Sequence, residues 1–171
     1  MNDFLKYIIW FVGLILTQTL IFGQIEFGIG IHIMIYPLFL ILLPFDMKPI
    51  SLMLVAFLMG ILLDSLFNTF GLHASASVIV AYLRPELYRL FAPRDGYDLL
   101  MKPSIKDLGV QWFISVSSIM ITIHHFWFFF LEYFKWSAWF SIIKNTLLSS
   151  IITLFIIVAI EMLFTKKETR S

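Results

Sequence analysis

The chain has 171 residues and a formal net charge of +1; 60% of its residues are hydrophobic and only 13% are charged. Soluble proteins carry about 25% charged residues, so this composition excludes an ordinary soluble fold. The absence of cysteine excludes disulfides, thiol catalysis and cysteine-ligated metals, and the lack of a basic patch away from the apolar segments argues against nucleic-acid binding.

Apolar runs of about 20 residues can cross the hydrocarbon core of a bilayer as helices. Six such runs predict an all-α, polytopic integral membrane protein, with a bundle of six transmembrane helices in a single domain, residues 1–171. The predicted spans are, in chain order, residues 4–22, 31–45, 50–68, 72–91, 108–131 and 139–164. Residues 92–107 form the predicted cytoplasmic loop, and the first run lacks a cleavage site, so we interpret it as a retained span.

Two of the predicted spans contain proline. The second is short and carries Pro37 and Pro44, which predicts a tilted helix or a locally thinned bilayer. In the fourth, Pro85 has no N–H to donate and disfavours helix at Arg84, so we expect a kink at that point.

The basic residues predict the orientation. If the N-terminus is cytoplasmic, only Lys135 and Lys144 of the 12 Lys and Arg residues fall toward the outside. Positive charge collects on the cytoplasmic side of membrane proteins. We therefore predict that both termini are cytoplasmic, which requires an even number of spans.

In that orientation the ionisable residues within the spans lie mostly in the outer half. They are His32, Asp64, His73, His124, His125 and Lys144. Charged groups in hydrocarbon are costly and usually face the bundle interior or water. The pattern leaves two interpretations open, an outward-facing polar cavity or docking surface, and side chains that simply reach the nearby interface.

The third span has a face of small residues. Ala56, Gly60 and Asp64 are spaced by four and share one side of a helix, which lets a neighbouring helix approach closely. Gly71 predicts a tight turn that brings Asp64 and His73 close enough to pair. Asp64 is then either an acid whose hydrogen bonds are satisfied within the helix packing or a contact for a partner or ligand.

The other buried polar residues show no catalytic or metal-binding pattern. His124 and His125 are adjacent, so on a helix they point about 100° apart and do not easily bind one ion. Asn145, Ser149 and Thr153 step by four along the sixth span, which we interpret, like Gln18 in the first span, as interhelical packing. We expect no enzymatic activity, no cofactor and no metal.

The order of several short motifs resembles the rod shape-determining protein MreD family over essentially the whole chain. The motifs are Gly60-x-x-x-Asp64, Asn68-x-x-Gly71-x-x-Ala74, Arg84-Pro85, the loop segments 92–97 and 103–107, and Ile123-His124-His125. Ala56 and His73 complete the set of candidate contact residues.

This resemblance implies a non-enzymatic scaffold subunit of the bacterial cell-elongation (rod) complex, a multi-pass protein of the cell inner (cytoplasmic) membrane. Such a subunit would regulate cell shape and peptidoglycan synthesis by binding an MreC-like bitopic membrane protein, an MreB-like filament and peptidoglycan synthases. Whether the chain forms a homo-oligomer stays open.

A second family is similar in size and number of spans, the substrate-binding subunits of energy-coupling-factor vitamin transporters. An outward-facing polar cavity would suit that function. Against it, the first span lacks the paired small residues by which those subunits dock, and Gly13 with Thr17 is the nearest approach.

Overall fold

A computed structural model describes residues 3–25, 30–98 and 101–164. All regular secondary structure in these residues is helical. The six α-helices are α1 (Asp3–Leu20), α2 (Pro37–Leu42), α3 (Pro49–Phe67), α4 (Leu72–Leu90), α5 (Ile105–Tyr133) and α6 (Trp139–Phe164). Helices α1, α3, α5 and α6 are long and apolar enough to cross a membrane. The predicted all-α class is confirmed, and these helices indicate a membrane-embedded protein.

The helices pack in a simple order. Consecutive helices from α3 to α6 pack against each other, α1 lies on α3, and the short α2 touches α1, α4 and α5. We call the end of the bundle where α1, α3 and α5 begin the basic end, and the opposite end, where Asp64 and His73 lie, the histidine end. At the basic end Trp10 of α1 packs edge-on against Phe164 of α6, with ring centroids 5.4 Å apart.

The helix predicted over residues 31–45 is wrong over most of its length, because only Pro37–Leu42 is helical. Residues 31–35 have no regular secondary structure, yet Ile35 is completely buried. Pro37 is tolerated in the first turn of α2. A helix extended upstream would place it in the interior, where its ring clashes with the carbonyl group four residues earlier, that of Ile33.

Pro85 does not end α4, which continues from Leu72 to Leu90 with the proline inside it. A residue with non-helical geometry lies in α5, where Gly109 has φ 83° and ψ 163°. Glycine reaches this region because it has no Cβ. The helical turn that precedes Gly109 belongs to the part of the chain that the sequence predicts as loop.

The hairpin between α3 and α4 forms as the sequence predicts. Asn68 ends α3 with φ 57° and Gly71 precedes α4 with φ 94°, and both residue types tolerate this left-handed region. The face of small residues then packs against α4 of the same chain. A Cβ on Gly60 would lie only 2.5 Å from the backbone nitrogen of Ala74.

We therefore expect Gly60→Ala to lower the free energy of unfolding by about 1–3 kcal/mol, the usual cost of overpacking. Thermal unfolding in detergent, followed by circular dichroism, measures the effect. Gly13→Ala is the matched control, since a Cβ on Gly13 meets nothing within 4 Å. Equal melting temperatures for the two variants would contradict the packing of Gly60.

Candidate functional site

Segment 31–35 lies between α1, α5 and α6, and side chains of α6 bind its backbone on one side. The backbone N–H of His32 donates to Ser149 Oγ at 3.0 Å, and that of Met34 donates to Thr153 Oγ1 at 3.2 Å. A non-helical backbone at membrane depth is tolerated only where its polar groups find partners within the protein or in water. The two hydroxyl groups of α6 supply such partners.

A single amide side chain of α1 binds the other side of the segment. Gln18 Nε2 donates to the carbonyl oxygen of Ile33 at 2.9 Å, and Gln18 Oε1 accepts from the N–H of Ile35 at 2.8 Å. The backbone N–H groups of residues 32 and 34 thus point toward α6, and the bonded backbone groups of residues 33 and 35 point toward α1. This alternation is that of a β-strand.

The four-residue spacing of Ser149 and Thr153 in α6 matches the two-residue spacing of their partners, His32 and Met34. Four residues of helix rise about 6.0 Å, and two residues of extended chain rise about 6.6 Å. One step further along α6, Asn145 lies close to Gly30, since a Cβ on Gly30, which has φ +73°, would lie 2.5 Å from Asn145 Nδ2. The Asn145 amide itself donates to the hydroxyl group of Tyr133 at 2.9 Å. We call Asn145, Ser149 and Thr153 the polar ladder.

His125 closes the ladder from α5. Its Nε2 lies 3.2 Å from the carbonyl oxygen of His32 and 3.4 Å from Thr153 Oγ1, and its Nδ1 lies 2.9 Å from the carbonyl oxygen of Ile121. A neutral imidazole carries one N–H, so in that form it donates to one of the two carbonyl groups. His125 is fully buried and links segment 31–35 to α5.

His124 points to a different neighbour, as the helical geometry predicts for adjacent residues. Its Nε2 lies 2.6 Å from the hydroxyl group of Tyr36, whose ring centroid is 5.8 Å from that of His73. Within the described residues no group of three His, Asp or Glu side chains is arranged to hold a metal ion.

Asp64 caps the N-terminus of α4 from the neighbouring helix. Its carboxylate accepts the backbone N–H groups of His73 at 3.0 Å and Ala74 at 2.9 Å, and the hydroxyl group of Thr69 at 2.6 Å. His73 Nδ1 lies 3.0 Å away, which is the contact that the hairpin predicts. A carboxylate is favoured at this position because the N-terminus of a helix carries partial positive charge.

At the basic end, Arg84 and Tyr88 bind carbonyl groups at the C-terminal end of a helix, where Asp64 binds N–H groups at an N-terminus. The Arg84 guanidinium, only 2% exposed, donates to the carbonyl groups of Leu43 and Pro44, and Tyr88 donates to that of Ile41 at 2.6 Å. These carbonyl groups lie at or just beyond the C-terminus of α2, where a cationic group is favoured.

An aromatic cluster fixes the loop after α4 to the bundle. The ring of Tyr97 stacks on that of Phe45 at 4.2 Å, its hydroxyl group donates to the carbonyl of Tyr88 at 2.7 Å, and Trp112 Nε1 lies 3.1 Å from that hydroxyl. Burial raises the pKa of Tyr97 and the hydrogen bond from Trp112 opposes this rise. This part of the predicted loop is therefore packed rather than fully solvated.

A cavity of about 430 Å³ opens at the histidine end, on the face of segment 31–35. Polar side chains in its lining are those of Gln18, His32, Thr69, His73 and Glu132, and the rest is largely aliphatic and aromatic. Of the predicted site residues, only His73 lines this cavity. Gly60 and Ala56 lie between α3 and α4, and Arg84 and Pro85 lie toward the basic end.

Comparison with known proteins identifies no relative. No family model matches the chain, and neither a curated protein nor a solved structure is significantly similar to it. The sequence singles out Gln18, Ser149 and Thr153 only as interhelical packing residues, and their role as partners of segment 31–35 was missed. The four-residue step of Ser149 and Thr153 was visible, but it does not reveal that the neighbour is an extended segment rather than a helix.

We expect Thr153→Val to lower the free energy of unfolding by about 1–2 kcal/mol, because it removes the acceptor of the buried Met34 N–H. Thr146→Val is a matched control on the same helix, since Thr146 Oγ1 is buried without a partner among the described residues. Chemical unfolding in mixed micelles measures both variants. A loss at Thr146 as large as at Thr153 would contradict the role of the ladder.

Asp64→Asn should also destabilise the fold, by about 1–3 kcal/mol. The amide offers one acceptor oxygen where the carboxylate offers two, so one N–H group of α4 loses its partner. Asp95→Asn, in an exposed loop, is the control. The apparent melting temperature measures the effect, and a value equal to that of the unchanged protein would refute the capping role.

Proposed function

We propose that the chain is a non-enzymatic membrane scaffold subunit of the bacterial cell-elongation complex, located in the inner membrane with both termini in the cytoplasm. In this role it binds the transmembrane helix of an MreC-like bitopic protein and works with an MreB-like filament and peptidoglycan synthases. The motif order in the sequence suggests this family, and the following observations support the proposal.

Six membrane crossings are compatible with the dimensions of the fold. Residues 31–35, if extended, cover about 16 Å, and residues 36–43, if helical throughout, add about 12 Å, close to the 30 Å of a hydrocarbon core. Helix α4 has 19 residues, or about 28 Å at helical rise. The contact of Trp10 with Phe164 suits two termini on one side of the membrane.

The contacts of the buried polar residues favour a binding role. Asp64, Arg84 and His125 each form hydrogen bonds with backbone groups of the chain itself. The fold therefore explains why these polar side chains are buried. The broad surfaces left over are apolar helix faces. This division suits a protein that acts by presenting a shaped membrane surface.

The observation that carries the proposal is the face of α1 that points away from the rest of the bundle. Only 17% of its most apolar stretch is buried inside the protein, the smallest share among the four long apolar helices. Gly13 lies exposed on this face with open space above it, and Thr17 one turn later turns its hydroxyl group back to the carbonyl of Gly13 at 2.8 Å. Such a small-residue groove allows another transmembrane helix to approach closely.

We expect Gly13→Leu to lower recovery of a bitopic partner about fivefold or more, the equivalent of about 1 kcal/mol of helix packing. The measurement is affinity isolation of the tagged full-length chain from bacterial membranes in mild detergent, with quantitative mass spectrometry. Gly13→Ala is the control because it fills far less of the groove. Unchanged recovery with Gly13→Leu would refute the α1 surface, and isolation without any bitopic partner would refute the scaffold function.

The cavity at the histidine end supports a second candidate, the substrate-binding subunit of an energy-coupling-factor vitamin transporter. Its volume of about 430 Å³ falls in the range of small-molecule sites. The same isolation distinguishes the two functions, because a transporter subunit would bring along ATPases and a small bound vitamin.

A further inference from the structure

A second cavity, of about 390 Å³, lies at the basic end between α1, α2, α6 and the start of α5. Three lysines border it, namely Lys6 of α1, Lys102 of the loop and Lys106 in the first turn of α5. Lys102 and Lys106 are neighbours in the sequence, whereas Lys6 comes from a distant part of the chain and meets them only in the fold. Neither the scaffold function nor the ladder uses this cavity.

The cavity carries excess positive charge. Asp107 and Glu161 also line it, so three positive and two negative formal charges leave a net charge of +1. Asp107 Oδ2 accepts the backbone N–H of Lys102 at 2.7 Å, which fixes the loop beside the cavity. One anionic group with a single negative charge would balance the site.

The remaining wall is apolar. Phe39 and Leu42 of α2 line it, together with Trp10 and Phe164, whose rings are packed edge-on. A free inorganic anion would leave this wall uncovered. A phospholipid would bring its phosphate to the lysines and its acyl chains to the aromatic and aliphatic side chains.

We propose that this cavity binds the phosphate headgroup of an anionic phospholipid. Basic pockets between transmembrane helices are suited to anionic headgroups at the membrane surface. The site combines three bordering lysines, one excess positive charge among its described lining residues and an adjoining apolar wall. The bound lipid would tie α1, α2, α5 and α6 together at the basic end.

Native mass spectrometry of the full-length chain in neutral detergent tests the proposal. The protein is titrated with phosphatidylglycerol and with phosphatidylcholine of the same acyl chains. We expect phosphatidylglycerol to bind about tenfold more tightly, with a preference that falls as salt rises. Equal affinity for the two lipids would overturn the proposal.

The triple variant Lys6→Gln, Lys102→Gln, Lys106→Gln should lose this preference. The control is the equally charged triple variant Lys48→Gln, Lys135→Gln, Lys144→Gln, whose lysines are exposed and do not line the cavity. An equal loss in the control would overturn the site. If the first triple variant does not fold, Lys102→Gln alone, in the loop, must weaken phosphatidylglycerol binding, and unchanged binding would refute the proposal.

Competition between inorganic phosphate and phosphatidylglycerol is the last part of the experiment. At concentrations equal to those of the lipid it should not displace phosphatidylglycerol. Displacement at such concentrations would mean that the cavity is a free-phosphate site, which would overturn the assignment to a lipid. The readout does not depend on any bitopic partner, so it is separate from the test of the scaffold function.

Discussion

The backbone of residues 31–35 imposes the main constraint on this fold. A non-helical segment inside an apolar bundle cannot leave its N–H and C=O groups unpaired, because each unpaired group costs several kcal/mol where water is absent. Gln18 of α1, Ser149 and Thr153 of α6 and His125 of α5 pair the N–H groups of residues 32, 34 and 35 and the carbonyl groups of residues 32 and 33. In a bilayer, apolar packing alone gives helices little reason to choose one neighbour over another, so these directional contacts fix which helices surround the segment.

Side chains also pair with backbone groups at the two ends of the bundle, and there the side chains carry charges of opposite sign. Asp64 receives the N–H groups at the start of α4, and Arg84 donates to the carbonyl groups that follow α2. Each charge complements the partial charge of the helix end that it meets. Two ionisable residues that look costly in a membrane sequence are thereby explained as parts of the architecture.

Sequence reasoning succeeded where the chemistry was local. The turn at Gly71 and the approach of His73 to Asp64 follow from residues less than ten positions apart, and α6 begins at the predicted residue, Trp139. It failed for residues 31–45, where hydropathy predicts burial but not conformation. It also could not assign the face of Gly60, because a small-residue face looks the same whether it packs against the same chain or another.

The sequence by itself determined that the chain is helical and apolar, where most helices begin and end, and that its basic residues are unevenly distributed. Hydropathy, proline and glycine act over short stretches of chain, so these features need no knowledge of neighbours. Only the tertiary structure decided that residues 31–35 are non-helical, that Gln18 and Thr153 bind their backbone, and that Lys6 shares a cavity with the distant Lys102 and Lys106. Those outcomes depend on contacts between residues from 15 to 119 positions apart, and no local pattern encodes such partners.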